Sequence, residues 1–126
     1  MHKRIVVVED DDDAREILHL LFEACGAEVF GASNVAEALQ VLATVEPDLL
    51  ISDIGMPVRD GFALMREVRA TPALAELPAI ALTAFAGEAN QARGTEAGFN
   101  AYLVKPLDAA LLLATAASLV DTPSCD

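Results

Sequence analysis

Side chains that could transfer a phosphoryl group follow several short apolar segments of this 126-residue chain. Asp53 comes directly after the apolar segment 49–52, and a loop containing Gly55 and Pro57 follows it. In α/β proteins, chemistry is typically placed where a buried parallel strand ends. Asp53 is therefore a candidate site residue, and the ends of the other apolar segments should indicate which kind of site.

The first apolar segment runs directly into five consecutive acids, residues 9–13. Carboxylates this close repel one another and raise at least one pKa, unless a cation or a helix N-terminus compensates. We interpret Asp12 and Asp13 as solvated residues in the first turn of a helix. Glu9 and Asp10 leave the strand directly, and a hard cation explains them better. Mg²⁺ typically takes one or two carboxylates together with waters and phosphate oxygens.

Thr83 and Lys105 each come one residue after a later apolar segment. Either residue alone would be read as a turn cap or a surface side chain. Parallel strands bring their ends to one edge of the sheet, so both are expected near Asp53. Carboxylates, a hydroxyl and an ammonium group at one edge are the groups that phosphoryl transfer requires.

Five apolar segments alternate with helical patterns, which predicts an α/β fold with a parallel sheet and helices on both faces. The predicted strands are residues 5–8, 28–31, 49–52, 79–82 and 101–104. Apolar stripes predict helices within 14–22, 35–43 and 64–68, and two further helices are expected over about 88–97 and 108–120.

The fifth predicted helix is apolar on nearly every side, although a helix on a sheet needs only one apolar stripe. One orientation of this helix would place Leu111 and Ala114 against the core. Leu112, Leu113 and Ala116 would then lie largely outside. Either small residues are tolerated there, or the helix docks a second copy of the chain or a neighbouring domain.

The net charge of −12 argues against binding to nucleic acids or to an anionic membrane, both of which attract basic surfaces. It suits a cation or a protein with a basic patch. The length fits one domain, with a core over about 4–120 and a tail at 121–126. Because the chain has no apolar run of membrane-spanning length and no signal-peptide pattern, we expect a cytoplasmic protein.

Four segments, taken together and in order, closely resemble the response-regulator receiver domain of two-component signal transduction. They are residues 5–11, 53–61, 81–84 and 102–106, and the resemblance extends over about residues 4–119. It implies a flavodoxin-like, doubly wound sheet of five parallel strands in the order 2-1-3-4-5, with five helices. That order would bring the ends of strands one, three, four and five together.

The resemblance also implies roles for the acidic residues. Asp53 matches the phosphoacceptor, which takes a phosphoryl group from a phosphohistidine of a histidine kinase or a histidine phosphotransfer domain. Asp10, Asp53 and the backbone carbonyl of Gly55 match the ligands of Mg²⁺ (or Mn²⁺). Glu9 matches an acid that acts on the metal through water.

The remaining matches concern the phosphoryl group and its readout. Lys105 matches the residue that pairs with the phosphoryl group, and its bond to Pro106 is cis in the family, as an X–Pro bond can be. Thr83 and Tyr102 match a switch pair that alters the surface formed by helix four, strand five and helix five.

The sequence leaves three other functions open. A pseudo-receiver would act by protein contact alone, although its acidic residues, Thr83 and Lys105 would then have no use. An Asp-nucleophile phosphohydrolase usually carries a second Asp two residues after the first, where this chain has Gly55. A flavin-binding protein would need a phosphate-cradling loop after strand one instead of acids. We expect a phosphorelay module, free-standing or from a hybrid kinase, rather than an enzyme with a free substrate.

Overall fold

One sheet of five parallel strands, in the order β2-β1-β3-β4-β5, organises the chain in the computed structural model. The structure describes residues 3–54, 61–83, 88–105 and 108–120. The strands are β1 (Arg4–Val8), β2 (Glu28–Ala32), β3 (Leu49–Asp53), β4 (Ala79–Thr83) and β5 (Ala101–Val104). The helices are α1 (Asp12–Glu23), α2 (Val35–Val45), α3 (Gly61–Ala70), α4 (Glu88–Ala97) and α5 (Ala109–Val120), with a short 3₁₀ turn at Pro72–Leu74. The predicted fold class and strand order are therefore confirmed.

Both faces of the sheet are covered, which explains why its central strands are apolar without alternation. On one face, Val6, Val8 and Leu50 pack against α2 and α3. On the other face, Val7 and Ile51 belong to a second cluster with residues of α1 and α5. Among the helices that the structure describes, none is long and apolar enough to cross a membrane.

Strands β3 and β4 each extend one residue beyond the predicted end, so Asp53 and Thr83 are strand residues. The main-chain ladder continues past the apolar run because Ile54 N–H donates to the Leu82 carbonyl at 3.0 Å. Lys105 N–H likewise donates to the Thr83 carbonyl at 2.7 Å. The expectation that Asp53 and Thr83 follow their strands was wrong, because backbone pairing and not side-chain polarity ends these strands.

The stripe of α5 that faces the sheet is not the one that contains Leu111 and Ala114. Leu112 and Ala116 are buried, whereas Leu111 is 51% exposed and Ala114 is also exposed. The orientation that would bury Leu111 and Ala114 is therefore not the one adopted, and an apolar pattern on every side does not fix the rotation of a helix about its axis. Leu112 and Ala116 are one turn apart, and the small Ala116 side chain fits a close approach of the helix to the sheet.

The side chain of Arg69 ties α3 to the segments that lead into β4 and β5. Its Nε and Nη2 donate to the Gly98 carbonyl at 3.2 and 2.6 Å, and its Nη1 donates to the Ala75 carbonyl at 3.1 Å. Nη2 also reaches Asn100 Oδ1 at 3.2 Å, which accepts from Ala79 N–H at 2.9 Å. Burial lowers the pKa of Arg69. This hydrogen-bond network anchors the amino-terminal end of β5, the strand that carries Tyr102 and precedes Lys105.

Replacing Arg69 with Met should lower the free energy of unfolding by about 1–3 kcal/mol, because several half-buried carbonyls lose a charged donor. Urea denaturation followed by circular dichroism measures the change. Arg66→Met is the matched control, since Arg66 is an exposed residue of the same helix. An equal effect of both substitutions would contradict the structural role of Arg69.

Candidate functional site

Three carboxylates meet at the carboxyl ends of β1 and β3. One carboxylate oxygen from each of Glu9, Asp10 and Asp53 lies within 4.8 Å of the others. The two strands are neighbours, with Val8 paired to Ser52, so their next residues emerge side by side. Glu9 and Asp53 are only 2% and 8% exposed, whereas Asp10 is exposed. The site therefore holds two buried acids and one that faces solvent.

Lys105 brings a positive charge to this acidic group. Its Nζ lies 3.2 Å from Glu9 Oε2 and 3.6 Å from Asp53 Oδ1. The residue follows β5, which is separated from β3 by β4, so the long lysine side chain reaches across one strand. The structure thus brings four of the predicted site residues together: Glu9, Asp10, Asp53 and Lys105.

Burial and neighbouring charges shift the pKa values of Glu9 and Lys105. Burial raises the pKa of Glu9, and the nearby Asp53 carboxylate raises it further, against smaller opposing effects of Asp11 N–H and Lys105. Burial by itself would lower the pKa of Lys105, but the charges of Asp53 and Glu9 outweigh it and raise that pKa. Lys105 is therefore held in its charged form, while the charge on Glu9 is disfavoured.

The main chain around Glu9 is fixed by α1. Arg15 Nη1 donates to the Glu9 carbonyl at 2.9 Å, and its Nη2 donates to Asp12 Oδ1 at 2.6 Å. Asp11 caps the helix by accepting from Asp13 N–H at 3.0 Å. Sequence reasoning missed Arg15 as a support of the site. The available indication was a lone cation three residues after Asp12, at helical spacing.

The main chain of Asp53 is also enclosed. A β-carbon on Gly61 would lie 2.8 Å from the Asp53 carbonyl oxygen and 3.0 Å from Ile54 Cα. Ser52 Oγ donates to the same carbonyl at 2.9 Å. Only glycine fits at the start of α3, because any side chain there would displace the strand end that carries Asp53. The sequence contained no local indication of this contact.

Thr83 and Tyr102 lie on neighbouring strands. Thr83 is fully buried at the end of β4, and Tyr102 is half-buried and packs against the core. Tyr102 pairs with Ala81, two residues before Thr83, so both side chains belong to the same face of the sheet. Gly55 and Pro106, which the resemblance also implicated, lie outside the described residues.

The donor set fits a hard divalent cation. Its three side-chain groups are all carboxylates, and Asp10 is open to solvent, as suits an ion that keeps several of its waters. Three acids face one lysine, so the group has an excess of negative charge that a cation would reduce. The same carboxylates and ammonium could receive and stabilise a phosphoryl group.

Replacing Glu9 with Gln should make the metal-free protein more stable at neutral pH. A raised pKa means that folding favours protonated Glu9, so its stabilisation is complete below the unfolded value near 4.5 and is lost as pH rises through the folded pKa. The advantage of Glu9→Gln should therefore grow between pH 4 and pH 7. Urea denaturation in a chelator measures it.

Glu16→Gln is the control, because Glu16 is an exposed acid of α1. Its stability relative to the wild type should change little over the same pH range. The interpretation of Glu9 fails if Glu9→Gln loses stability relative to the wild type as pH rises.

Comparisons with known proteins agree with this geometry. The chain matches the response regulator receiver domain model over residues 5–117. It is 48% identical over 104 residues to an uncharacterised 14.6 kDa protein of Leptolyngbya boryana, covering 82% of this chain and 79% of that protein. It is 37% identical to the transcriptional regulatory protein GltR of Pseudomonas aeruginosa, covering 94% of this chain and 49% of GltR, so it spans about half of that relative.

Among solved structures, the chemotaxis protein CheY4 of Vibrio cholerae superposes with a TM-score of 0.90 at 28% identity. The match covers 94% of this chain and 99% of that one. The family match spans most of the chain, and the structural likeness includes the order of its strands. The chain belongs to the response regulator receiver domain family.

Proposed function

We propose that Asp53 is the phosphoacceptor of this receiver domain and takes its phosphoryl group from a phosphohistidine. The observation that carries this proposal is the contact of Lys105 Nζ with both buried acids, 3.2 Å from Glu9 and 3.6 Å from Asp53. An ammonium group at this place can pair with the Asp53 carboxylate before the transfer and with the oxygens of the phosphoryl group after it. The domain then acts as a signalling module without a free small-molecule substrate.

The transfer exchanges one bond to phosphorus for another. An Asp53 carboxylate oxygen attacks the phosphorus atom, the P–O bond forms as the P–N bond to histidine breaks, and the imidazole keeps the electron pair of the broken bond. Lys105 stabilises the charge that spreads over the transferred oxygens, and its raised pKa keeps it protonated for this role.

Asp10 and Asp53 would bind Mg²⁺ or Mn²⁺ directly, with the Gly55 carbonyl as a third ligand and Glu9 acting through water. The bound cation supplies charge neutralisation at the phosphoryl oxygens. The unfavourable charge of the buried Glu9 supports a cation at this site, because a nearby positive charge would compensate it.

The change at Asp53 would pass to the surface through Thr83 and Tyr102. Thr83 lies at the end of the strand next to β3, where its hydroxyl can approach a phosphoryl oxygen on Asp53. A shift of Thr83 would allow the Tyr102 ring to turn inward, because both side chains lie on one face of the sheet. The surface of α4, β5 and α5 would then change.

The proposed partners follow from the same geometry. A histidine kinase or histidine phosphotransfer domain would approach the open side of the site, where Asp10 is exposed. The half-exposed Leu111 of α5 lies on the surface that could contact a second copy or a neighbouring domain. A pseudo-receiver role is less well supported, because it would leave the contact of Lys105 with two buried acids without a use. We expect the domain to work in the cytoplasm.

Replacing Asp53 with Asn should abolish labelling by acetyl phosphate in the presence of Mg²⁺. The amide lacks the nucleophilic carboxylate, so labelling should fall to background in an intact-mass measurement. Asp13→Asn is the matched control, because Asp13 is an exposed acid near the site but outside the carboxylate group. Labelling of Asp53→Asn at the wild-type level would disprove the assignment of the phosphoacceptor.

Magnesium should stabilise the wild type more than it stabilises Asp10→Asn. A ligand at ten times its dissociation constant adds about 1.4 kcal/mol to the free energy of unfolding. Denaturation in MgCl₂, compared with NaCl of equal ionic strength, measures the gain. Asp13→Asn should retain the full gain, and an equal gain in Asp10→Asn would place the cation elsewhere.

A further inference from the structure

Gly94, a buried residue of α4, lies against the ring of Tyr102. A β-carbon on Gly94 would lie 2.7 Å from Tyr102 Cδ2 and 3.1 Å from Tyr102 Cε2. Carbon atoms pack at about 3.5–4.0 Å, so a methyl group and the ring cannot both occupy this place. Glycine is also less favourable than alanine inside a helix, and helix formation therefore does not explain this residue.

The main chain of α4 cannot easily move away, because the helix end is fixed at this position. Phe99 N–H donates to the Gly94 carbonyl at 3.0 Å, and Gly98 N–H donates to the Thr95 carbonyl at 3.1 Å. Gly98 has a φ of +115°, which completes a Schellman motif. Arg69 holds the Gly98 carbonyl from the neighbouring helix. A shift of the Gly94 backbone would break several of these hydrogen bonds.

The main chain of Tyr102 is held equally well. Tyr102 pairs with Ala81 in the sheet, and Asn100 N–H donates to the Ala79 carbonyl at 2.8 Å just before β5. Relief of the contact must therefore come from rotation of the ring. A cleft of about 210 Å³ lies beside it, lined by Thr95, Phe99, Asn100, Ala101 and Tyr102.

We propose that Gly94 is a positioning residue for the switch, because its missing side chain admits the Tyr102 ring against α4. A β-carbon at position 94 displaces the ring and changes how far phosphorylation can move it. The effect on signalling rests on the proposed function, in which Tyr102 reports the state of Asp53. The contact between Gly94 and the ring does not depend on that function.

A double-mutant cycle tests the contact. Gly94→Ala should have a denaturation midpoint equal to or lower than that of the wild type, because the methyl group displaces the ring. In a Tyr102→Ala background the same substitution should raise the midpoint, as expected for alanine in a helix. Ala92→Gly, at an exposed position of α4, is the control and should lower the midpoint equally in both backgrounds.

An additive cycle would overturn the proposal. If Gly94→Ala does not fold, the double variant Gly94→Ala/Tyr102→Ala decides the question. A folded double variant supports the clash with the ring, and an unfolded one overturns it.

Tyrosine fluorescence reads the ring itself, since Tyr102 is the only tyrosine and the chain has no tryptophan. Gly94→Ala should change acrylamide quenching of this emission in the unphosphorylated protein. It should also reduce the change that acetyl phosphate with Mg²⁺ produces in the wild type. Unchanged quenching in Gly94→Ala would overturn the proposal.

If wild-type emission does not respond to phosphorylation, the switch part of the proposed function fails. The double-mutant cycle and the quenching of the unphosphorylated protein still decide the role of Gly94.

Discussion

Two carboxylates, those of Glu9 and Asp53, lie side by side where the sheet is nearly closed to water. Two like charges 4 Å apart repel by about 4 kcal/mol at the effective dielectric of a protein site. Lys105 offsets part of this repulsion, because one ammonium group contacts both acids. The remaining excess of negative charge makes the site receptive to a cation. Burial raises the pKa of Glu9, and the neighbouring Asp53 carboxylate raises it further.

The rest of the structure holds these charges in place. The pairing of β1 with β3 brings the two acids together, and β4 lies between β3 and β5, the strand that precedes Lys105. The helices act on the main chain at the strand ends: Arg15 binds the Glu9 carbonyl, and Gly61 leaves room for the Asp53 carbonyl. Neither acid could move toward solvent without breaking contacts that also stabilise the fold.

The amino-acid sequence was sufficient to predict the five strands, their parallel arrangement and the acids, hydroxyl and lysine at one edge. These features depend on local patterns and on the connection rules of α/β folds, and the family resemblance added the strand order. The orientation of α5 could not be predicted, because a helix that is apolar on every side takes its orientation from the sheet beneath it. Arg15, Gly61 and Gly94 were missed for a related reason. Their importance depends on contacts between different helices and strands, such as that of the Tyr102 ring of β5 with Gly94 of α4.

The hydrogen bond from Lys105 N–H to the Thr83 carbonyl, at 2.7 Å, has a consequence for how receivers of this kind can diversify. It joins the main chains of two residues to which we assign different tasks, and it does not depend on the identity of either side chain. Under the proposed function, substitutions at Thr83 would therefore alter the readout while the lysine keeps its position. Input chemistry and output response share one backbone frame but can be changed separately during evolution.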